Sequence, residues 1–447
     1  MDEKVTLEEA LQWVGEYSKP ERFADIRRHL DPTWIEEALE ATGTATLRKR
    51  RLPAEQVIWL VLGMALYRDR PIYELVDRLD LMLPGGKSPM MAPSAVVEAR
   101  GRLGADPMEW LFGKSGRKWA HESAGKHRWR GLALYGVDGS TLRVADSAEN
   151  RAHFGGPTGA RGVSGYPLVR VVTLMALRSH LMAAVEFGPY GDSEIALASA
   201  LWPEVPDDSL MLVDRGFLAA GILLPLNREG KNRHWLTRAK STTKWRVLEH
   251  LGRNDDLVEF NVSSQARAYD PSLPKTFTAR AVSYQKKGFL PQTVLTSLTD
   301  HKAFPASEIV NLYHERWELE LGYDEIKTEM LEREETIRCK SVAGVEQELW
   351  GIFLAYNLVR LEMERTADQL DVEPVRISFV GSLRLICEEW WWASSASPGA
   401  IPKNLARLSA RMARLLLPPR RSERRYPRAV KIKMSNYPRK RPVGSDA

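Results

Sequence analysis

Residues 311–341, NLYHERWELELGYDEIKTEMLEREETIRCKS, decide how this chain is read. Their spacing predicts one long helix over 311–341. At 100° per residue, Arg316, Glu320 and Lys327 fall within about 60° of Tyr313, so a tyrosine, two cations and a carboxylate share one stripe. Leu312, Leu319, Tyr323, Ile326 and Met330 form a second, mostly apolar face. Such a helix can pack on a core while presenting its carboxylate between two cations. Spacing alone favours an ordinary solvated face, because Glu and Lys dominate the segment.

Two earlier aspartates shift that balance. Asp138 and Asp214 each close an apolar run with the pattern of a buried strand, LALYGVD and SLMLVD, and turn chemistry follows at Gly139 and Gly216. A carboxylate buried at a strand end is costly unless it is paired or binds a cation. Asp138, Asp214 and Glu320 are therefore the candidate catalytic residues and metal ligands. Their hard oxygens suit Mg²⁺, with Mn²⁺ as a substitute, and two ions about 4 Å apart would clamp the attacking and leaving oxygens of a phosphodiester.

The order Asp, Asp, then Y-x2-R-x3-E-x6-K over Tyr313, Arg316, Glu320 and Lys327 resembles the signature of the insertion-sequence-four family of DDE transposases. In that family the Glu is the last acid of the triad. Other stretches are similar to the family too: RKRRLPAEQVIWLVLGMALYRDRPIYELVDRL, YGVDGSTLRVADSAENRAHFG and VDRGF. The resemblance spans about residues 47–350. It implies an RNase H-like α/β core, a mixed five-stranded sheet with helices, in which the first and fourth strands lie side by side. It also implies cut-and-paste chemistry: a metal-activated water nicks the element's end, the freed 3′-hydroxyl forms a hairpin, water reopens it, and the 3′-ends join target DNA. The partners would be double-stranded terminal inverted repeats and target DNA, held by a homodimer acting in trans. Tyr313, Arg316 and Lys327 would grip phosphates beside the scissile bond.

Composition agrees with an anionic partner. The 447 residues suffice for two or three domains, and 64 Lys and Arg against 58 Asp and Glu leave a net charge of +6. The two cysteines, Cys339 and Cys387, cannot make a zinc site by themselves, no Cys-x-x-Cys occurs, and a reducing compartment is expected. No signal-peptide pattern is present, and the most apolar window, 57–67, is far shorter than the roughly 20 residues of a membrane span. The expected location is the cytoplasm, on the nucleoid of a prokaryote.

Along the chain, 1–125 reads as a helical DNA-binding domain, with starts near Thr6, Asp31 and Pro53 and stops near Gly43, Gly85 and Gly104. Within it, Ser94 would cap a short helix whose Arg100 and Arg102 could enter a major groove, although they also suit the end of a helix dipole. Residues 48–51 are a basic run. Strands at 132–137, 168–177, 181–187, 209–213 and 234–239, with helices at 193–201 and 217–226, make 126–240 the first part of the catalytic core. The glycine-rich stretch after Glu149 lacks the G-x4-G-K-[ST] arrangement and is no P-loop; Arg151, His153 and Arg161 there are candidate DNA contacts. Residues 241–305 alternate as a β-rich insertion, and Trp245 within it is assigned no base-stacking role. The second part of the core covers 306–395, with helices at 346–369 and 377–392. Trp390, Trp391 and Trp392 span too many helix faces to be wholly internal. A basic tail occupies 396–447. The rival functions are an RNase H-like structure-selective nuclease, which keeps the acids but lacks end binding and strand transfer, and a catalytically silent DNA-binding descendant, which has no need of three acids. A two-carboxylate glycosidase leaves the basic tail unexplained.

Overall fold

The structure, a computed structural model, describes residues 29–45, 52–79, 81, 91–159, 162–163, 165–285, 290–332, 336–393 and 401–418. The expected features at Thr6, Gly85, Arg161, 48–51 and 420–441 lie outside these residues. Among the described residues, five helices precede the first strand: α1 (Pro32–Ala41), α2 (Ala54–Leu66), α3 (Ile72–Arg78), α4 (Pro93–Leu103) and α5 (Asp106–Lys126). Asp31 caps α1 by accepting the Thr33 N–H, and Gly104, at φ 70°, ends α4.

Five core strands follow: β1 (Ala133–Val144), β2 (Leu168–Ala176), β3 (Met182–Pro189), β4 (Ser209–Val213) and β5 (Arg233–Arg238). They lie in the order β3-β2-β1-β4-β5, with β1, β4 and β5 parallel and β2 antiparallel to both of its neighbours. This is the RNase H-like arrangement. β4 has a parallel partner on each side and all five of its residues are buried, which is why it reads as an unbroken apolar run. Helix α6 (Ala148–Phe154), capped by Ser147, lies between β1 and β2, where the sequence suggested only a glycine-rich loop. Helix α7 (Glu194–Ala200) links β3 to β4, and α8 (Ala220–Arg228) links β4 to β5.

The sheet does not stop at five strands. The insertion contributes β6 (Arg246–Gly252), β7 (Asp255–Asn261), β8 (Thr276–Tyr284) and β9 (Gln292–Thr296), with α9 (Ser264–Tyr269) before β8. β9 pairs with β5, so the sheet continues β5-β9-β8-β7-β6, and β10 (Thr336–Ile337) pairs with the outer end of β1. The five-stranded expectation becomes a ten-stranded sheet among the described residues. An unpaired β5 edge would leave a row of backbone donors and acceptors open, and the insertion closes it.

Two further expectations are corrected. Asp138 does not end its strand: β1 runs on to Val144 against β2, and only the pairing with β4 stops, at Val137 opposite Val213. The 311–341 segment is not one helix. It comprises α10 (Ala306–Tyr313), a 3-10 turn His314–Arg316, α11 (Trp317–Asp324) and a π turn Glu325–Met330, and the chain is strand again at β10. Its apolar face is as expected, with Leu312, Leu319, Tyr323, Ile326 and Met330 all buried. Gly136 on β1 makes room for that face: a Cβ there would lie 2.6 Å from Leu319 Cδ1.

The central support is α12 (Val342–Leu370), followed by α13 (Phe379–Ala393) and α14 (Ile401–Met412). α12 packs on α2 and α5, and its buried Asn357 side chain accepts the Met182 N–H at 2.9 Å and donates to the Met182 carbonyl at 2.8 Å, pinning it to β3. Of the tryptophan triplet, Trp390 is buried against Trp59 and Tyr67. Trp391 packs on Tyr67 beside Arg70 and Arg78, and Trp392 reaches the surface. No described helix is long and apolar enough to cross a membrane.

Candidate active site

Parallel pairing makes neighbours of two residues far apart in sequence. Val137 and Val213 are register partners, so Asp138 and Asp214 sit side by side where β4 gives out. Asp138 Oδ1 accepts the Gly139 N–H at 2.9 Å, and Asp214 Oδ2 accepts the Gly216 N–H at 3.4 Å in the 3-10 turn that follows it. Helix α11 is tied directly to this point. The Tyr323 hydroxyl donates to the Asp138 carbonyl at 2.8 Å and in turn accepts from the Thr173 hydroxyl of β2 at 3.1 Å.

Arg316 joins the acids. One guanidinium nitrogen lies 2.7 Å from Glu320 Oε1 and another 3.7 Å from Asp138 Oδ2. Glu320 is thereby drawn to the aspartate pair across a single cation. Burial drives the Asp138 carboxyl up to about 6; the Gly139 N–H and Arg316 pull against this, while Glu194 and Asp214 push the same way as burial. Arg316 thus only partly compensates the negative charge gathered here. Tyr313 is buried nearby. Burial raises its hydroxyl's pKa, Arg316 and Arg238 oppose the rise and Asp214 adds to it, so it faces the same cluster as a neutral donor. Lys327 is half-buried on the π turn.

The other proposed DNA contacts lie elsewhere. Arg100 points into the packing of α4 on α12, donating to Gln347 Oε1 at 2.9 Å and Cys339 Sγ at 3.2 Å, whereas Arg102 stays exposed with Glu98 at 4.0 Å. Arg151 is held by Asp146 and the Gly165 carbonyl. Trp245 packs against Phe260, 6.0 Å between ring centroids.

Among the described residues, only His127, Glu364 and Asp368 bring three potential metal-ligand atoms within 4.8 Å of one another. The Lys126 ammonium already bonds Glu364 at 3.3 Å and Asp368 at 3.0 Å, which makes that group an ion-paired cluster. The Asp138, Asp214 and Glu320 set is looser, with Arg316 among its members. Its all-carboxylate donors and incompletely compensated charge fit a hard divalent cation. Sequence reasoning missed Glu194, Tyr323 and Arg238. Tyr323 hid within the apolar face, and Glu194 carried only the local signal of following the helix cap Ser193.

Known proteins similar to this chain fall in one family. The family profile described as "Insertion element 4 transposase N-terminal" matches residues 20–113, and "Transposase DDE domain" matches residues 130–358. The chain is 40% identical over 432 residues to "Transposase InsG for insertion sequence element IS4" of Escherichia coli strain K12, covering 96% of this chain and 97% of that protein. "Putative transposase InsZ" of the same organism is 39% identical over 223 residues, 49% of this chain and 73% of the relative. The cryo-EM structure of the piggyBac transposase synaptic complex with hairpin DNA superposes with a TM-score of 0.42 at 11% identity, over 92% of this chain and 86% of that one, a level that adds nothing to the fold described above.

Proposed function

The chain belongs to the insertion-sequence-four family of DDE transposases, and from that premise we propose that it excises and integrates an insertion sequence by DNA strand cleavage, hairpin formation and strand transfer. The observation that carries this reading is the convergence of Asp138 and Asp214, from parallel neighbouring strands, with Glu320 through Arg316. Asp138, Asp214 and Glu320 would hold the metal. Bound there, two Mg²⁺ ions, or Mn²⁺ in their place, would activate water and stabilise charge on the phosphorus. Arg316 balances the acids before DNA arrives and contacts a phosphate oxygen afterwards. The neutral Tyr313 hydroxyl donates to the same phosphate group, and Lys327 contacts a neighbouring one. Arg102, exposed at the end of α4, meets the DNA backbone; Arg100 beside it orients α4 through its bonds to α12. On DNA the protein acts as a homodimer, on the nucleoid.

Asp138→Asn, Asp214→Asn and Glu320→Gln test the reading. Each should lower Mg²⁺-dependent nicking of an end substrate by more than about a hundredfold while leaving end binding in a mobility-shift assay intact. Substantial cleavage by any one of them removes that residue from the metal set. Cleavage without specific end binding or joining in the native protein would instead identify a structure-selective nuclease.

A further inference from the structure

We infer that Glu194 is a fourth acid of the metal-binding site, adding a carboxylate on the Asp138 side; the inference rests on the divalent-cation reading above. Glu194 is the first residue of α7, whose cap Ser193 accepts the Ala196 N–H and so sets the direction in which the helix leaves β3. This brings the Glu194 carboxyl down onto the backbone immediately after Asp138. A Cβ on residue 139 would lie 2.5 Å from Glu194 Cδ and 2.8 Å from its Oε1, so only a glycine at 139 allows the contact. The N–H of the same Gly139 bonds Asp138 Oδ1 at 2.9 Å. Two carboxyl groups, from β1 and α7, therefore bracket one residue.

The alternative is that Glu194 merely anchors Arg170. That ion pair is long, at 3.5 Å, and the Arg170 guanidinium bonds the Tyr190 carbonyl at 3.0 and 3.3 Å while lying over the Tyr190 ring. The Glu194 side chain is 37% exposed, open to water and ions. Arg316 pairs with Asp138 and Glu320, and its ion pairs do not extend to Glu194. Like charges held this close are relieved by a cation, and a divalent ion held by Asp138 would be the nearest candidate.

The test is a Mn²⁺ titration of the full chain without DNA, followed by free-Mn²⁺ electron paramagnetic resonance and by the rise in Tm. Glu194→Gln should need about tenfold more Mn²⁺ for half-saturation, with an unchanged metal-free Tm. Gly139→Ala, which displaces the Glu194 carboxyl, should shift the midpoint in the same direction. Arg170→Met should leave the midpoint within about twofold of the native value, since in this account the arginine is not what places Glu194. A native midpoint in Glu194→Gln, with Asp138→Asn having lost its Mn²⁺ response, overturns the inference and leaves the metal reading standing. A native response in Asp138→Asn, or no response in the unaltered protein, overturns both.

Discussion

Arg316 shows how much one side chain can carry. It is 13% exposed and pairs with both Asp138 and Glu320, so in the DNA-free protein it is the internal counter-ion of the acids. An ordinary exposed charge can be removed for less than about 0.5 kcal/mol, but a part-buried cation between two carboxylates cannot. Arg316→Ala should therefore lower Tm in the absence of metal, regain part of the loss when Mn²⁺ is added, and lower hairpin formation and strand transfer by more than about tenfold. Lys327→Ala should impair the same steps with little change in Tm. Glu332→Ala, beyond the π turn, is the control. Near-native excision and joining by both Arg316→Ala and Lys327→Ala would return the stripe to an ordinary charged face.

At the level of elements, the signature segment is held from below by a buried polar network. His180, in the left-handed region at φ 62°, places Nε2 2.9 Å from Glu318 Oε2, and Glu325, the first residue of the π turn, bonds Arg360 and receives the Tyr356 hydroxyl at 2.7 Å. These contacts join α11 to the turn between β2 and β3, and the π turn to α12, one on each side of Glu320. Removing one partner of a buried ion pair costs about 3–5 kcal/mol, so Arg360→Met should lower denaturant stability by that order. Burial works to raise the Glu325 pKa, but Arg360 and His180 and the bonds from His180 and Tyr356 outweigh it and hold the group down to about 2. A folded-state pKa below the unfolded value contributes stability that is present above the unfolded pKa of about 4.3 and is lost as pH falls toward 2. Acid unfolding should consequently be shallower in Glu325→Gln than in the native chain over that interval. Gly136→Ala, which drives a methyl into Leu319, should cost about 1–3 kcal/mol and lift Glu320 away from β1. A native melting curve for that variant would mean that α11 does not depend on close approach to the strand.

For the whole molecule, deletion of the basic tail 420–441 should weaken binding to all duplexes alike and flatten the slope of log K against log salt, since each phosphate-neutralising cation contributes about 0.9 to that slope on duplex DNA. An unchanged slope would place the tail off the DNA. The sequence by itself determined the order of the five core strands and of α7 and α8, and it put forward the three acids and the Tyr-Arg-Glu-Lys stripe as candidates, because these rest on local periodicity and on turn residues within a few positions of each strand end. It also showed the family, through spacings that survive as text. Only the tertiary structure decided that Asp138 lies in mid-strand, that the insertion extends the catalytic sheet, that the signature helix breaks into α, 3-10 and π turns, and that Arg100 is spent on α12. Each of these depends on partners found far along the chain: Thr173 for Tyr323, Arg360 for Glu325, Gln347 for Arg100. A pattern with a period of two or 3.6 residues carries no information about which distant backbone edge or buried charge will complete it.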